Sequence, residues 1–221
     1  MERRPVSPGP LRPGSIGVMG GTFDPIHVGH LAVAEEARDR LGLARILFVV
    51  AGQPPHKAPV DVSPVEHRLA MVALAIAGND AFELSRLEVD RPGPSFSADT
   101  LADLDRRERG AGRTPDLTLI LSAETFADLP SWHQPGQMLD LARVAVVPRE
   151  GYPAPDPGWI ARTFPGQEDR VDFLAGPRLG LSSTDLRARV RAGRSIRYLV
   201  PDAVAGYIVD HRLYRLGGRR P

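Results

Sequence analysis

Residues 20–30 read Gly20-Gly21-Thr22-Phe23-Asp24-Pro25-Ile26-His27-Val28-Gly29-His30. An apolar run at 16–19 precedes the two glycines, and Leu31, Ala34, Ala37 and Leu41 follow at helical spacing. The stretch is therefore a strand, a tight turn and a helix start. Such a turn aims backbone N–H groups and the positive end of the helix dipole at one point, where an anion can sit. His27 and His30, three residues apart on a first helical turn, stand about 60° apart around the axis and share a face. Both can donate to one phosphate chain. The pattern lacks the Gly-Lys-Ser/Thr ending of a Walker A loop and the third glycine of a dinucleotide fingerprint. A surface histidine pair and a zinc pair are the competing readings. The chain has no cysteine and no third ligand near in sequence, whereas a catalytic zinc site normally takes three protein ligands.

Outward from this stretch, short apolar runs recur at 46–50, 117–121 and 144–147, with a weaker one at 171–174. Their unbroken apolar character suggests strands covered on both faces. Helical patterns lie between or after them, at 30–41, 64–77, 98–109 and about 135–142. Alternating strands and helices predict an α/β fold, a Rossmann-like, doubly wound parallel sheet. Right-handed crossovers then put the first loop at the carboxyl edge of the sheet, where such folds bind ligands. From about residue 181 the character changes. An arginine-rich helix to about 192, a second helix at 201–210 and a short strand-like Leu213-Tyr214 are expected there. Residues 1–14, with three arginines and four prolines, read as a disordered extension, 15–217 as a single domain and 218–221 as a tail. Two proline-rich segments, 51–63 and 148–158, read as long loops.

The chain's 221 residues suffice for a full core. A net charge of +1 with 25% charged residues argues against nucleic acid as the main partner. No apolar run has the length of a membrane span, and the absence of cysteine fits a cytoplasmic setting. Lys57 is the only lysine among 28 basic residues. A codon bias toward arginine accounts for most of this, but a single retained lysine invites a functional role. Assembly into a homo-oligomer is compatible with the sequence.

A second cluster is Leu181-Ser182-Ser183-Thr184-Asp185-Leu186-Arg187. A hydroxyl N-cap with an acid just inside is an ordinary helix start. Arg187 is not explained that way. It lies four residues beyond Ser183 on the same side, and hydroxyls, N–H groups and a guanidinium together make a second anion site.

The string from Gly20 to His30 resembles the His-x-Gly-His signature of a nucleotidyltransferase superfamily, and in particular the bacterial nicotinate-nucleotide adenylyltransferases. Residues 181–187 resemble the superfamily's Ile-Ser-Ser-Thr-x-Ile-Arg motif, with leucine at both apolar positions. The resemblance implies transfer of the adenylyl group of ATP to nicotinate mononucleotide, with Mg²⁺ carried mainly by the phosphates and no protein metal ligands. It implies His27, His30 and Arg187 as catalytic residues. Gly20, Gly21, Thr22, Phe23, Ser182 and Ser183 would hold ATP, Thr22 and Phe23 through backbone N–H groups. Gln53-Pro54-Pro55-His56-Lys57 is similar to the family's loop at the mononucleotide phosphate, with Lys57 as the cation and His56 assisting. Pro94-Ser95-Phe96-Ser97 resembles Pro-Ser-Tyr-Thr, implying Ser97 at the nicotinate ring, and Leu129-Pro130-Ser131-Trp132-His133 implies Trp132 stacked on it. Ser122 and Glu124 stand where the family has Gly-x-Asp beside the adenosine ribose. A related acceptor, nicotinamide mononucleotide or phosphopantetheine, and a nucleotide-binding module without turnover are the alternatives.

Overall fold

A computed structural model describes residues 9–55, 62–153 and 157–215. Six strands form one sheet: β1 (Arg12–Gly21), β2 (Leu43–Val50), β3 (Phe82–Ser85), β4 (Leu117–Ser122), β5 (Arg143–Val147) and β6 (Val171–Phe173). Their spatial order is β3-β2-β1-β4-β5-β6, and every pairing is parallel. The doubly wound sheet expected from the alternation of elements is present.

The helices are α1 (Val28–Leu41), α2 (Val65–Ile76), α3 (Ser97–Gly110), α4 (Ala123–Ala127), α5 (Pro135–Leu141), α6 (Pro157–Thr163), α7 (Ser183–Arg191) and α8 (Asp202–Asp210). They cover both faces. Ile46, Phe48 and Val50 of β2 join a core with Ala34, Leu69, Met71, Leu186 and Val204, on the side of α1, α2, α7 and α8. Leu47 and Val49 face the other way, into a core with Leu101, Phe126 and Met138. Side chains alternate along a strand, so a strand buried on both faces is apolar throughout. No helix among the described residues is long and apolar enough to cross a membrane.

The structure departs from the sequence expectations in five places. β1 begins at Arg12, not Ile16, so residues 12–14 belong to the sheet and not to an extension. Arg12 is fixed there by its N–H to the Gly42 carbonyl and by an ion pair of 2.9 Å to Asp116. β3 was not expected: Phe-Glu-Leu-Ser alternates over only four residues, enough for an edge strand with a single neighbour. The segment 148–158 ends in α6, and α4 follows β4 without a loop. Leu213 and Tyr214 lie in a turn, because the Tyr214 side chain is committed to the turn after β1. Residues 1–8, 216–221, and His56 and Lys57 lie outside the described residues.

Candidate active site

β1 delivers the chain to the carboxyl edge at Gly20 and Gly21. The ring of Phe23 folds back beneath Gly21, where a Cβ would stand 2.9 Å from it, so only glycine fits. Phe23 itself is buried in the core and has φ +50°. His27 is the N-cap of α1. Its ring lies over Gly29, where a Cβ would come within 2.9 Å of Nδ1. The glycine of the His-x-Gly-His pattern is thus the space the first imidazole occupies. The two imidazoles stack, with centroids 3.7 Å apart, and Phe23 meets His30 edge-on.

The two rings differ in their hydrogen bonding. The backbone N–H of His27 donates to His30 Nδ1 at 3.2 Å, which leaves the proton of the neutral ring on Nε2. His27 is 5% exposed, and its Nδ1 has no partner among the described residues. Burial, aided by the nearby charge of Arg149, lowers its pKa to about 4. At neutral pH it is an uncharged imidazole.

Both rings line a cavity of about 800 Å³. It also takes in Gly20, Gly21 and Thr22 from the end of β1, Ser122 from the end of β4, and Ser97 and Trp132. Ser95, Phe96 and His133 complete that wall, with Phe96 and His133 stacked at 4.5 Å. The structure therefore brings residues separated by a hundred positions to one side of the sheet edge, between β1 and β4, where the strand order reverses.

Other expected residues are placed differently. Ser122 accepts the Thr125 N–H at 3.2 Å as the N-cap of α4, and its hydroxyl also bonds that of Thr125. Glu124 is paired with Arg149 at 2.8 Å and is not among the cavity's lining residues. Ser182 caps α7 by accepting the Asp185 N–H at 3.0 Å. Ser183 donates to the Pro25 carbonyl at 2.9 Å, and Arg187 donates to the Asp24 carbonyl at 2.7 Å. Leu181 of this motif reaches the cavity wall, whereas Ser182, Ser183 and Arg187 do not line it. The motif is fastened to the histidine turn from outside.

Sequence reasoning missed three titratable lining residues. Arg149 follows β5 at the carboxyl edge, a position that could have marked it. Glu88 is a buried carboxyl, accepting from the Thr100 hydroxyl at 2.6 Å. Burial raises its pKa, and hydrogen bonds from Thr100 and Ser95 oppose that. Its local sequence has no periodicity that would reveal it. His133 was quoted only as a neighbour of Trp132. Among the described residues, no group of three or more His, Asp or Glu side chains is placed to hold a metal ion.

A family model described as cytidylyltransferase-like matches residues 18–189. A "Probable nicotinate-nucleotide adenylyltransferase" of Roseiflexus sp. (strain RS-1) is 50% identical over 200 residues, covering 90% of this chain and 98% of that protein. One of the same name from Thermus thermophilus is 44% identical over 203 residues, covering 90% and 99%. The nicotinic acid mononucleotide adenylyltransferase of Plasmodium falciparum, solved with NaAD, superposes with a TM-score of 0.75 at 19% identity, covering 90% of this chain and 97% of that one. At that identity the last likeness speaks for the fold. With the histidine turn, the cavity at the strand-order reversal and these relatives together, the chain belongs to the nicotinate-nucleotide adenylyltransferase family of cytidylyltransferase-like nucleotidyltransferases.

Proposed function

We infer that the cavity serves one reaction: the chain transfers the adenylyl group of ATP to nicotinate mononucleotide, forming nicotinic acid adenine dinucleotide and pyrophosphate. The observation that carries this reading is the stacked histidine pair lining a cavity that also holds Ser97 and Trp132. The mononucleotide phosphate is already a nucleophile, so no general base is required. Its oxygen attacks the α-phosphorus, the bond to the β-phosphate bridging oxygen breaks, and pyrophosphate leaves. Catalysis is then positioning and stabilisation of developing charge.

His30, with its proton on Nε2, donates to the α-phosphate in the transition state. Neutral His27 donates to neighbouring oxygens. The backbone N–H groups of Thr22 and Phe23, beside Gly20 and Gly21, hold the triphosphate. Arg187, seated on the Asp24 carbonyl, adds positive charge toward the leaving group, and the Ser182–Ser183 start of α7 supports it. Trp132 stacks on the pyridine ring and Ser97 bonds its substituent. Lys57, with His56, meets the mononucleotide phosphate. Ser122 approaches the ribose, and Glu124, through its ion pair, fixes Arg149 beside the nucleotide. Mg²⁺ carried by the phosphates would supply charge neutralisation on the triphosphate. The site's own polar side chains are imidazoles, hydroxyls, the Arg149 guanidinium and a carboxyl already engaged by Thr100, which fits an ion held by phosphate oxygens and not by a protein cage.

The test is to incubate the protein with ATP, Mg²⁺ and either nicotinate or nicotinamide mononucleotide, following pyrophosphate. Release with the nicotinate compound, and a product of the deamido dinucleotide's mass, is expected. No release with either would overturn this reading, nucleotide binding without release would then favour a module without turnover, and faster release with the amide would assign the other acceptor.

A further inference from the structure

The reaction as described makes no use of Arg68, on α2. It is 2% exposed, and no carboxylate pairs with it among the described residues. Instead it donates to four backbone carbonyls, those of Ala51 at 2.7 Å, Thr22 at 3.0 Å, Ser63 at 3.0 Å and Gly52 at 3.4 Å. Burial works against its charge, and the Asp24 carboxylate offsets part of that. An apolar side chain would fill the same space without the desolvation penalty of a buried cation. What the guanidinium adds is a rigid fork of donors, which joins the turn after β1, the end of β2 and the entrance to α2.

The bond to Thr22 has a consequence for the next residue. In a trans peptide the carbonyl oxygen and the following N–H point to opposite sides. Holding the Thr22 carbonyl on Arg68 therefore turns the Phe23 N–H away from Arg68. Phe23 has φ +50°, a value that residues with a side chain rarely adopt. Turning over the Thr22–Phe23 peptide would move that angle to about −130°, out of the left-handed region, and would aim the N–H toward Arg68.

We infer that Arg68 is a positioning residue for adenylyl transfer: it holds the Thr22–Phe23 peptide in the strained orientation that presents the Phe23 N–H to the ATP phosphates. The inference rests on the phosphate role given above to that N–H. Arg68→Lys keeps the charge but, as a point ammonium, cannot span the three segments. The experiment follows the Phe23 backbone amide resonance while the α,β-methylene analogue of ATP is added with Mg²⁺, alongside steady-state kinetics. In the parent protein the resonance is expected to shift. In Arg68→Lys the shift is lost and kcat/KM for ATP falls at least tenfold. Arg68→Gln, which keeps two donors without the charge, gives the same reading should the lysine variant not fold. A role in stability alone would lower the melting temperature and leave the amide response of the folded protein intact. An unchanged shift with kcat/KM for ATP within twofold overturns the inference. Absence of the shift in the parent protein overturns the phosphate role of the turn, and the inference with it.

Discussion

Two stacked imidazoles, one buried and one half-buried, are the centre of the candidate site. If both were protonated, charges would be stacked 3.7 Å apart. Burial of His27 avoids this, and the effect has a sign that can be measured. The folded pKa of about 4 lies below the ordinary 6.5. Above pH 6.5 neither state binds the proton. Between 6.5 and 4 the unfolded chain binds it and the folded protein does not, so stability falls as pH falls and levels off below about 4. The loss is on the order of 3 kcal/mol. Denaturant titrations at pH 7 and pH 4.5 should show a smaller loss in His27→Gln than in the parent protein; equal losses would contradict the neutral assignment. A second prediction at this scale concerns the acceptor's phosphate. Lys57→Ala should raise KM for nicotinate mononucleotide at least fivefold more than KM for ATP, by steady-state kinetics. Parallel increases would remove Lys57 from that role. The histidines, the glycines and Trp132 were legible in the sequence because motif and spacing carry them. Arg149 and Glu88 were not. Their place in the cavity follows from where strands end and segments fold back, not from neighbours along the chain.

The elements show how a motif can be read for the right region and still act through unexpected contacts. Residues 181–187 were expected to form a free anion site. The structure ties them to the histidine turn, through Ser183 on Pro25 and Arg187 on Asp24, while Tyr214 bonds the Asp24 carboxylate at 2.6 Å. α7 thus braces the turn that α1 begins. Two neighbouring serines should then behave differently. Ser182→Ala removes a helix cap and should cost about 1 kcal/mol of stability, with KM for ATP within twofold of the parent. Ser183→Ala loses a hydrogen bond of similar worth and should also raise KM for ATP about threefold or more. Chemical denaturation with ATP kinetics on both variants checks this, and identical kinetics would dissociate α7 from the turn. The strands seen in advance were those buried on both faces, whose apolar runs are unbroken. β3 escaped notice because an edge strand alternates, and α4 because five residues are too few for a helical period.

Across the whole molecule, the sheet order sets the chemistry. The order reverses between β1 and β4, and the carboxyl ends of those strands form the floor of the cavity. β1 brings the histidine turn, β4 and β5 bring Ser122 and Arg149, and the segments around Ser97 and Trp132 close the far wall. In the proposed reaction, one substrate's phosphates and the other's ring would lie on either side of the reacting phosphorus. The account stands on the histidine turn stabilising charge at that phosphorus, and His30 is the group assigned to it. A hydrogen bond to a charged group is worth about 1.5–3 kcal/mol, and about 1.4 kcal/mol is tenfold in rate. The most direct measurement is a single-turnover rapid-quench experiment with ATP, Mg²⁺ and nicotinate mononucleotide, on the parent protein and on His30→Ala at saturating substrates. The account predicts dinucleotide formation slowed at least tenfold in the variant, with binding of the α,β-methylene analogue changed by less. Equal rates in the two proteins would contradict it.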